Sequence, residues 1–231
     1  MSAVLESKQT EFEGVGPAFT KEKMLEMRAK TRGIINQIGA YVKPGMVEED
    51  AVEWAKNLLA ENDMVRGWHD VYVRFGSNTL KTFGAPSDPG VVLKEDDIFL
   101  IDIGPVWEEW EGDGGDTFVF GNDPLKLKCA EDARKLFHAV RHKWEDTGMS
   151  GKELYEYATA EALAMGWELN LDLSGHRLSD FPHAAVYDGP MMDVDFKPSP
   201  LLWVLEIHIR HPTAGYGAFF EDMLLDESYF Q

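Results

Sequence analysis

The sequence predicts an α+β fold with a largely antiparallel sheet. Stretches of helical and of strand periodicity occupy separate blocks, strict βαβ alternation is missing, and no shift in composition marks a second domain. The expected organisation is one domain over residues 1–231, with 1–17 as a weakly periodic surface arm and no separate N-terminal domain. Thr20, followed by Lys21, Glu22 and Lys23, opens a helix through Met24, Met27, Ile34 and Ile35 that should end near Tyr41. Lys43-Pro44-Gly45-Met46 reads as a turn. Glu48, Glu49 and Asp50 then sit where a helix N-terminus favours acids, ahead of Ala51, Trp54, Ala55, Leu58 and Leu59 at helical spacing.

From Asp70 the texture becomes strand-like, in residues 71–75 and again in 98–106, separated by a glycine- and proline-rich turn and a charged stretch at 94–97. Residues 117–120 read as a returning strand, which predicts a hairpin with the strand before it. Helical blocks follow at about 124–142 and 151–165, and the clearest late strands are 201–209 and 219–225, punctuated by Pro198, Pro200 and Pro212.

Composition narrows the function. The 22 basic and 41 acidic side chains give a net charge of −19, which repels phosphate backbones and anionic membrane surfaces, so neither nucleic acid nor a membrane is an expected partner. With 44% hydrophobic residues the chain can build a core, so disorder is excluded as its main state. The single cysteine, Cys129, can form no internal disulfide and fits a reducing, cytoplasmic setting. The polar N-terminus carries no export signal. Walker A, GxGxxG, GxSxG and CxxC patterns are absent, which removes the usual support for nucleotide-binding, serine hydrolase and redox readings.

The informative residues are carboxylates embedded in apolar strand runs: Asp102 in Phe-Leu-Ile-Asp-Ile, Glu206 in Trp-Val-Leu-Glu-Ile and Glu221 in Ala-Phe-Phe-Glu-Asp-Met. Each would cost several kcal/mol if buried ionised and unpaired, so each needs a cation, a neutralising proton or water. For any one of them the bland alternative is the solvated face of a half-exposed strand. Three in three strands favour a shared cation. Asp113, in Glu-Gly-Asp-Gly-Gly-Asp, would be folded back beside Asp102 by the hairpin. The segment lacks the Glu and ligand order of a calcium loop. His176 and His183 could reach such a site from one irregular segment, whereas His138 and His142, one helical turn apart without an HExxH pattern, read as a solvated helix face.

In order along the chain, Asp102, Asp113, His176, Glu206 and Glu221 form a D, D, H, E, E series that resembles the ligand set of the pita-bread metallopeptidases, the creatinase and aminopeptidase fold. Methionine aminopeptidase, aminopeptidase P and prolidase belong to that family. Ile101-Asp102-Ile-Gly followed eleven positions on by Asp113, then Thr117-Phe118, is similar to the aminopeptidase P version. Ser174-Gly-His176 with His183, Leu205-Glu206 and Phe220-Glu221-Asp222 resemble the later motifs, and the likeness extends over residues 21–226.

The resemblance implies a mostly antiparallel, curved sheet covered by helices. It also implies two divalent ions, manganese first among Mn, Co, Zn and Fe. Asp113 and Glu221 would bridge both ions, Asp102 would hold one, and His176 and Glu206 the other. The implied activity is an Xaa-Pro aminopeptidase or dipeptidase acting on short peptides, with a metal-activated water, Glu206 as general base and His183 on the substrate. The alternative is a non-peptidase hydrolase or lyase of a small zwitterion on the same fold.

Three departures bear on that choice. The family's upstream histidine should fall near residues 78–84, where Phe83 stands; His208, two positions beyond Glu206 on the same strand face, is the expected catalytic stand-in. The first glutamate motif lacks its usual proline. The two glutamates are separated by only 15 positions, which should trim the pocket rim. A homodimer is expected, since a chain without the N-terminal domain of longer aminopeptidase P relatives leaves a face for a second copy.

Overall fold

The computed structural model describes residues 3–180 and 182–230. Five helices are described: α1 (Ala3–Phe12), α2 (Lys21–Tyr41), α3 (Glu48–Glu61), α4 (Pro124–Thr147) and α5 (Gly151–Met165). The strands are β1 (Arg66–Gly67), β2 (Tyr72–Phe75), β3 (Ile98–Ile103), β4 (Pro105–Trp107), β5 (Trp110–Glu111), β6 (Gly114–Val119), β7 (Glu168–Leu169), β8 (His176–Arg177), β9 (Trp203–Arg210) and β10 (Gly217–Met223).

Local chemistry sets the helix ends. The Thr20 hydroxyl accepts the Lys23 N–H to start α2, and the Asp123 carboxylate accepts from Leu125 and Lys126 to start α4, with Pro124 in its first turn. Ser150 and Glu153 form a reciprocal capping box on α5, which stops at Gly166 with φ 91°.

The main sheet runs β2-β3-β6-β10-β9-β7, with β8 also on β9, and every described pairing is antiparallel. Its alternation separates two faces. Ile101 and Ile103 of β3 pack toward Ile34, Ile35 and Ile38 of α2, while Leu205, Ile207 and Ile209 of β9 pack toward Leu136, Val140 and Trp144 of α4. Each such fully buried aliphatic side chain contributes about 1.5–3 kcal/mol. The helices therefore cover one face, and Asp102, Glu206 and Glu221 project from the other. Acids on the helix side are neutralised by arginine: Asp222 pairs with Arg28 at 2.7 Å, and Asp116 with Arg32 at 2.9 Å and Arg134 at 2.7 Å.

The N-terminal stretch departs from the expected irregular arm, whose first two residues lie outside the described residues. Residues 3–12 are helical, and α1 is anchored at its end. Phe12 stacks on Tyr187 at 4.3 Å, Arg177 donates to the Phe12 and Gly14 carbonyls, and the Glu13 carboxylate accepts from Trp203 Nε1 and Ser199. A second small sheet, β1-β4-β5, stands beside the main one. Among the described residues no helix is long and apolar enough to cross a membrane.

Candidate metal centre

Strand register builds the site. Reading across the sheet, Tyr72 lies opposite Asp102, Asp102 opposite Gly115, Gly115 opposite Glu221, and Glu221 opposite Glu206. Three acids thus occupy one row over four adjacent strands, with a glycine between them. Asp113 lies two positions before Gly115 and joins the same face. Gly115 keeps the row open, since a Cβ there would lie 2.3 Å from the Phe219 ring. His176 enters from β8, whose residues pair with Val204 and Trp203.

Asp102, Asp113, His176, His183, Glu206 and Glu221 all line one cavity of about 400 Å³, together with Trp68, His69 and Phe83. His176 Nε2 lies 2.8 Å from Asp113 Oδ2 and 3.6 Å from Glu221 Oε1, while its Nδ1 donates to the Arg177 carbonyl at 2.6 Å. Glu206 accepts the Gly175 N–H at 2.7 Å, and its backbone is clasped by the buried Tyr155 hydroxyl. Gly175 takes φ 70° in that approach, where an added Cβ would meet the Val204 carbonyl at 2.6 Å.

Electrostatics mark this face as short of positive charge. Among the described residues, the basic side chains within 4.0 Å of these four carboxylates are His69 and His176. Burial pushes the Asp102 carboxyl up to about 6 and that of Glu206 up to about 7, and burial together with Asp113 raises Glu221 well above the usual range. Burial also works against the Asp113 charge, but His176 and His69 outweigh it and hold the group down at about 2. His176 is raised well above its ordinary value, its burial overcome by hydrogen bonds to Asp113 and Glu221.

The donor set fits two divalent cations. Four carboxylates match the charge of two such ions, the Glu221 Oε2 atom is buried without a hydrogen-bond partner, and donor atoms of Asp113, His176 and Glu221 lie within 4.8 Å of one another.

His208 departs from its expected role. It does share the strand face of Glu206, but its ring is fully buried outside the cavity, donating from Nε2 to the Thr79 carbonyl at 2.7 Å and accepting at Nδ1 from Asn170 at 3.0 Å. Burial, aided by Arg210 and Arg74, pulls it down to about 3, so it is a neutral packing group near pH 7. His138 and His142 lie on α4, away from the cavity.

Three residues at the site were not anticipated. His69 places Nε2 at 3.4 Å from Asp102 and 3.6 Å from Asp113; burial lowers the imidazole, but the two carboxylates hold it up at about 9. Trp68 packs edge-on against the rings of His69, His176 and His183 at 4.4–4.7 Å. Buried Glu111 accepts the backbone N–H groups of Ser179 and His183 and faces His183 Nδ1 at 3.4 Å. The one sequence signal for the first two was an aromatic pair, Trp-His, two residues ahead of strand β2.

An antiparallel sheet with helices on one face and a basin of acids and histidines on the other is the pita-bread architecture. Residues 22–225 match metallopeptidase family M24, and the chain belongs to that family. Among similar solved structures are prolidases from Pyrococcus horikoshii OT3 (18% identity, TM-score 0.68, 90% of this chain) and Pyrococcus furiosus (17%, 0.73, 96%). An X-Pro aminopeptidase from Thermotoga maritima MSB8 superposes with TM-score 0.74 at 15% identity over 96% of this chain. The chain spans 60%, 65% and 63% of those three proteins, respectively.

Proposed function

We propose that this chain is a dinuclear-metal exopeptidase that releases the N-terminal residue of short Xaa-Pro peptides. The observation that carries the reading is the single row of Asp102, Glu221 and Glu206, completed by Asp113 and His176 in one cavity. Asp102, Asp113, His176, Glu206 and Glu221 would hold the two ions, Asp113 being common to both clusters of donor atoms. When bound, such ions polarise a peptide carbonyl and lower the pKa of water, manganese being the first to test and Co, Zn and Fe the others.

The chain's own groups do the rest. Glu206, fixed by the Gly175 N–H, is placed to take the proton of the attacking water and pass it to the leaving nitrogen. His183, whose backbone is held by Glu111, is placed to hydrogen-bond the scissile carbonyl or the departing residue. Trp68 walls the cavity on its histidine side.

Phe83 supports the second reading, hydrolysis or cleavage of a smaller zwitterion. It is 49% exposed at the cavity, 6.4 Å from the Trp68 ring, where it narrows the entrance without offering a polar contact. Purified protein loaded with Mn²⁺ should be assayed against Xaa-Pro di- and tripeptides, matched peptides lacking proline, and non-peptide zwitterionic amides. Proline-dependent cleavage lost in Asp113→Asn and Glu221→Gln is expected. Turnover of the non-peptide amides alone would move the assignment to the second reading, and metal-independent cleavage would overturn both.

A further inference from the structure

We propose that His69 is a sixth protein ligand, binding the ion held by Asp102 and Asp113, so that each of the two ions has one imidazole. The inference rests on the dinuclear reading above and assigns a residue that the D, D, H, E, E series does not contain.

The first argument is the aim of the ring. Its Nδ1 lies 2.5 Å from the Asp70 carbonyl, which can only accept, so Nδ1 keeps a proton whatever the state of the ring, and Nε2 is the nitrogen that faces the cavity. There it meets Asp102 Oδ1 at 3.4 Å and Asp113 Oδ1 at 3.6 Å, both beyond ordinary hydrogen-bond length. A ring nitrogen aimed at two carboxylate oxygens needs a cation among them, and these gaps are long for a shared proton but suit an ion that displaces it. Donors held about 2.1 Å from one ion and about 90–110° apart are roughly 3.0–3.4 Å from each other, close to the separations seen.

The second argument is internal comparison. His176 is set up in the same way, with Nδ1 on the carbonyl of the next residue, Arg177, at 2.6 Å and Nε2 toward Asp113 and Glu221. Backbone anchoring of the distal nitrogen fixes tautomer and ring direction, which is how ligand histidines are held. The two clusters, His69-Asp102-Asp113 and Asp113-His176-Glu221, share Asp113 and have the same makeup of one imidazole and two carboxylates.

The third argument is that the fold makes room for this ring. Strand β1 pairs with β4, and Trp68 N–H donates to the Gly104 carbonyl at 3.0 Å, which lays the Trp68-His69 step over Gly104. A Cβ at Gly104 would come within 2.3 Å of both the His69 ring and the Trp68 indole. Phe83 closes the outer side, 5.9 Å from the His69 ring. Replacing an oxygen donor by nitrogen shifts that ion's preference toward borderline metals such as Co²⁺ and Zn²⁺.

Metal-free wild type and the His69→Ala and His69→Gln variants should be titrated with Co²⁺, followed by visible absorption and by equilibrium dialysis with elemental analysis. Wild type should take up two ions. Both variants should keep one and bind the second at least about tenfold more weakly, because changes outside the ligand shell alone already cost about 10–100-fold. Retention of the ion at His176 shows that a variant has folded. Equal two-ion affinity in wild type and variants would overturn this inference and leave the dinuclear reading standing; a wild type that binds no ion would overturn both.

Discussion

Replacing His208 should remove a specific piece of the protein's pH-dependent stability. The imidazole is neutral in the fold, with Nε2 donating to Thr79 and Nδ1 accepting from Asn170, and burial holds it at about 3 rather than at the ordinary value of 6.5. Below 6.5 the unfolded chain takes up a proton that the folded chain refuses. The stabilisation from His208 is therefore complete above that point and is lost progressively as pH falls toward 3. Between pH 7 and pH 5 the loss amounts to about 1.4 pKa units, or about 2 kcal/mol at 1.36 kcal/mol per unit. Urea unfolding of metal-free wild type and His208→Gln at steps from pH 7.5 to 5 measures it. The variant starts less stable, but the gap should narrow by about 2 kcal/mol as the pH falls, while titrations common to both proteins cancel. A gap that stays constant over that range would mean that His208 is not held neutral and that the reasoning from its burial fails.

Stripping metal should lower the melting temperature, because the ions compensate four clustered carboxylates and bind the folded state by mass action; Asp113→Asn should reproduce the loss, and His138→Ala and His142→Ala should not, as differential scanning with elemental analysis will show. Glu111→Gln should raise KM for peptide more than it lowers kcat, since the carboxylate orients His183 and its loop rather than the reacting atoms, and unchanged kinetics would separate His183 from substrate. Gly115→Ala should cost roughly 1–3 kcal/mol in urea, because the new Cβ meets Phe219 at 2.3 Å and the Ile101 carbonyl at 2.9 Å; a midpoint equal to wild type would mean that the row of acids does not depend on that gap.

The acids were legible in the sequence because charge inside an apolar strand run is anomalous whatever surrounds it. Asp102, Glu206 and Glu221 each interrupt such a run, and alternation alone puts Glu206 on the face opposite Leu205 and Ile207. Alternation also put His208 on that face correctly, but it carries no information on depth, and Asn170 and Thr79 cover that ring from segments far away in sequence. His69 was invisible for another reason. It precedes Asp102 by 33 positions, and its place depends on β1, a two-residue strand too short to leave a periodic signature. Helix α1 was missed because it has no apolar stripe: one ring, Phe12 on Tyr187, and polar contacts, Glu13 to Trp203 and Arg177 to backbone carbonyls, hold its end.

Strand β8 is only two residues long, yet its side chains serve opposite ends of the molecule. His176 points into the cavity, while Arg177 reaches back to the Phe12 and Gly14 carbonyls at the end of α1. Any protein engineering at the front of the chain therefore works through a two-residue lever. A tag or graft that unseats Phe12 from Tyr187 removes two of the four carbonyls that hold the guanidinium of Arg177, whose chain neighbour is an imidazole of the acid-lined cavity. Fusions are safer at Thr213, in the exposed turn between β9 and β10, whose backbone takes part in none of these anchors.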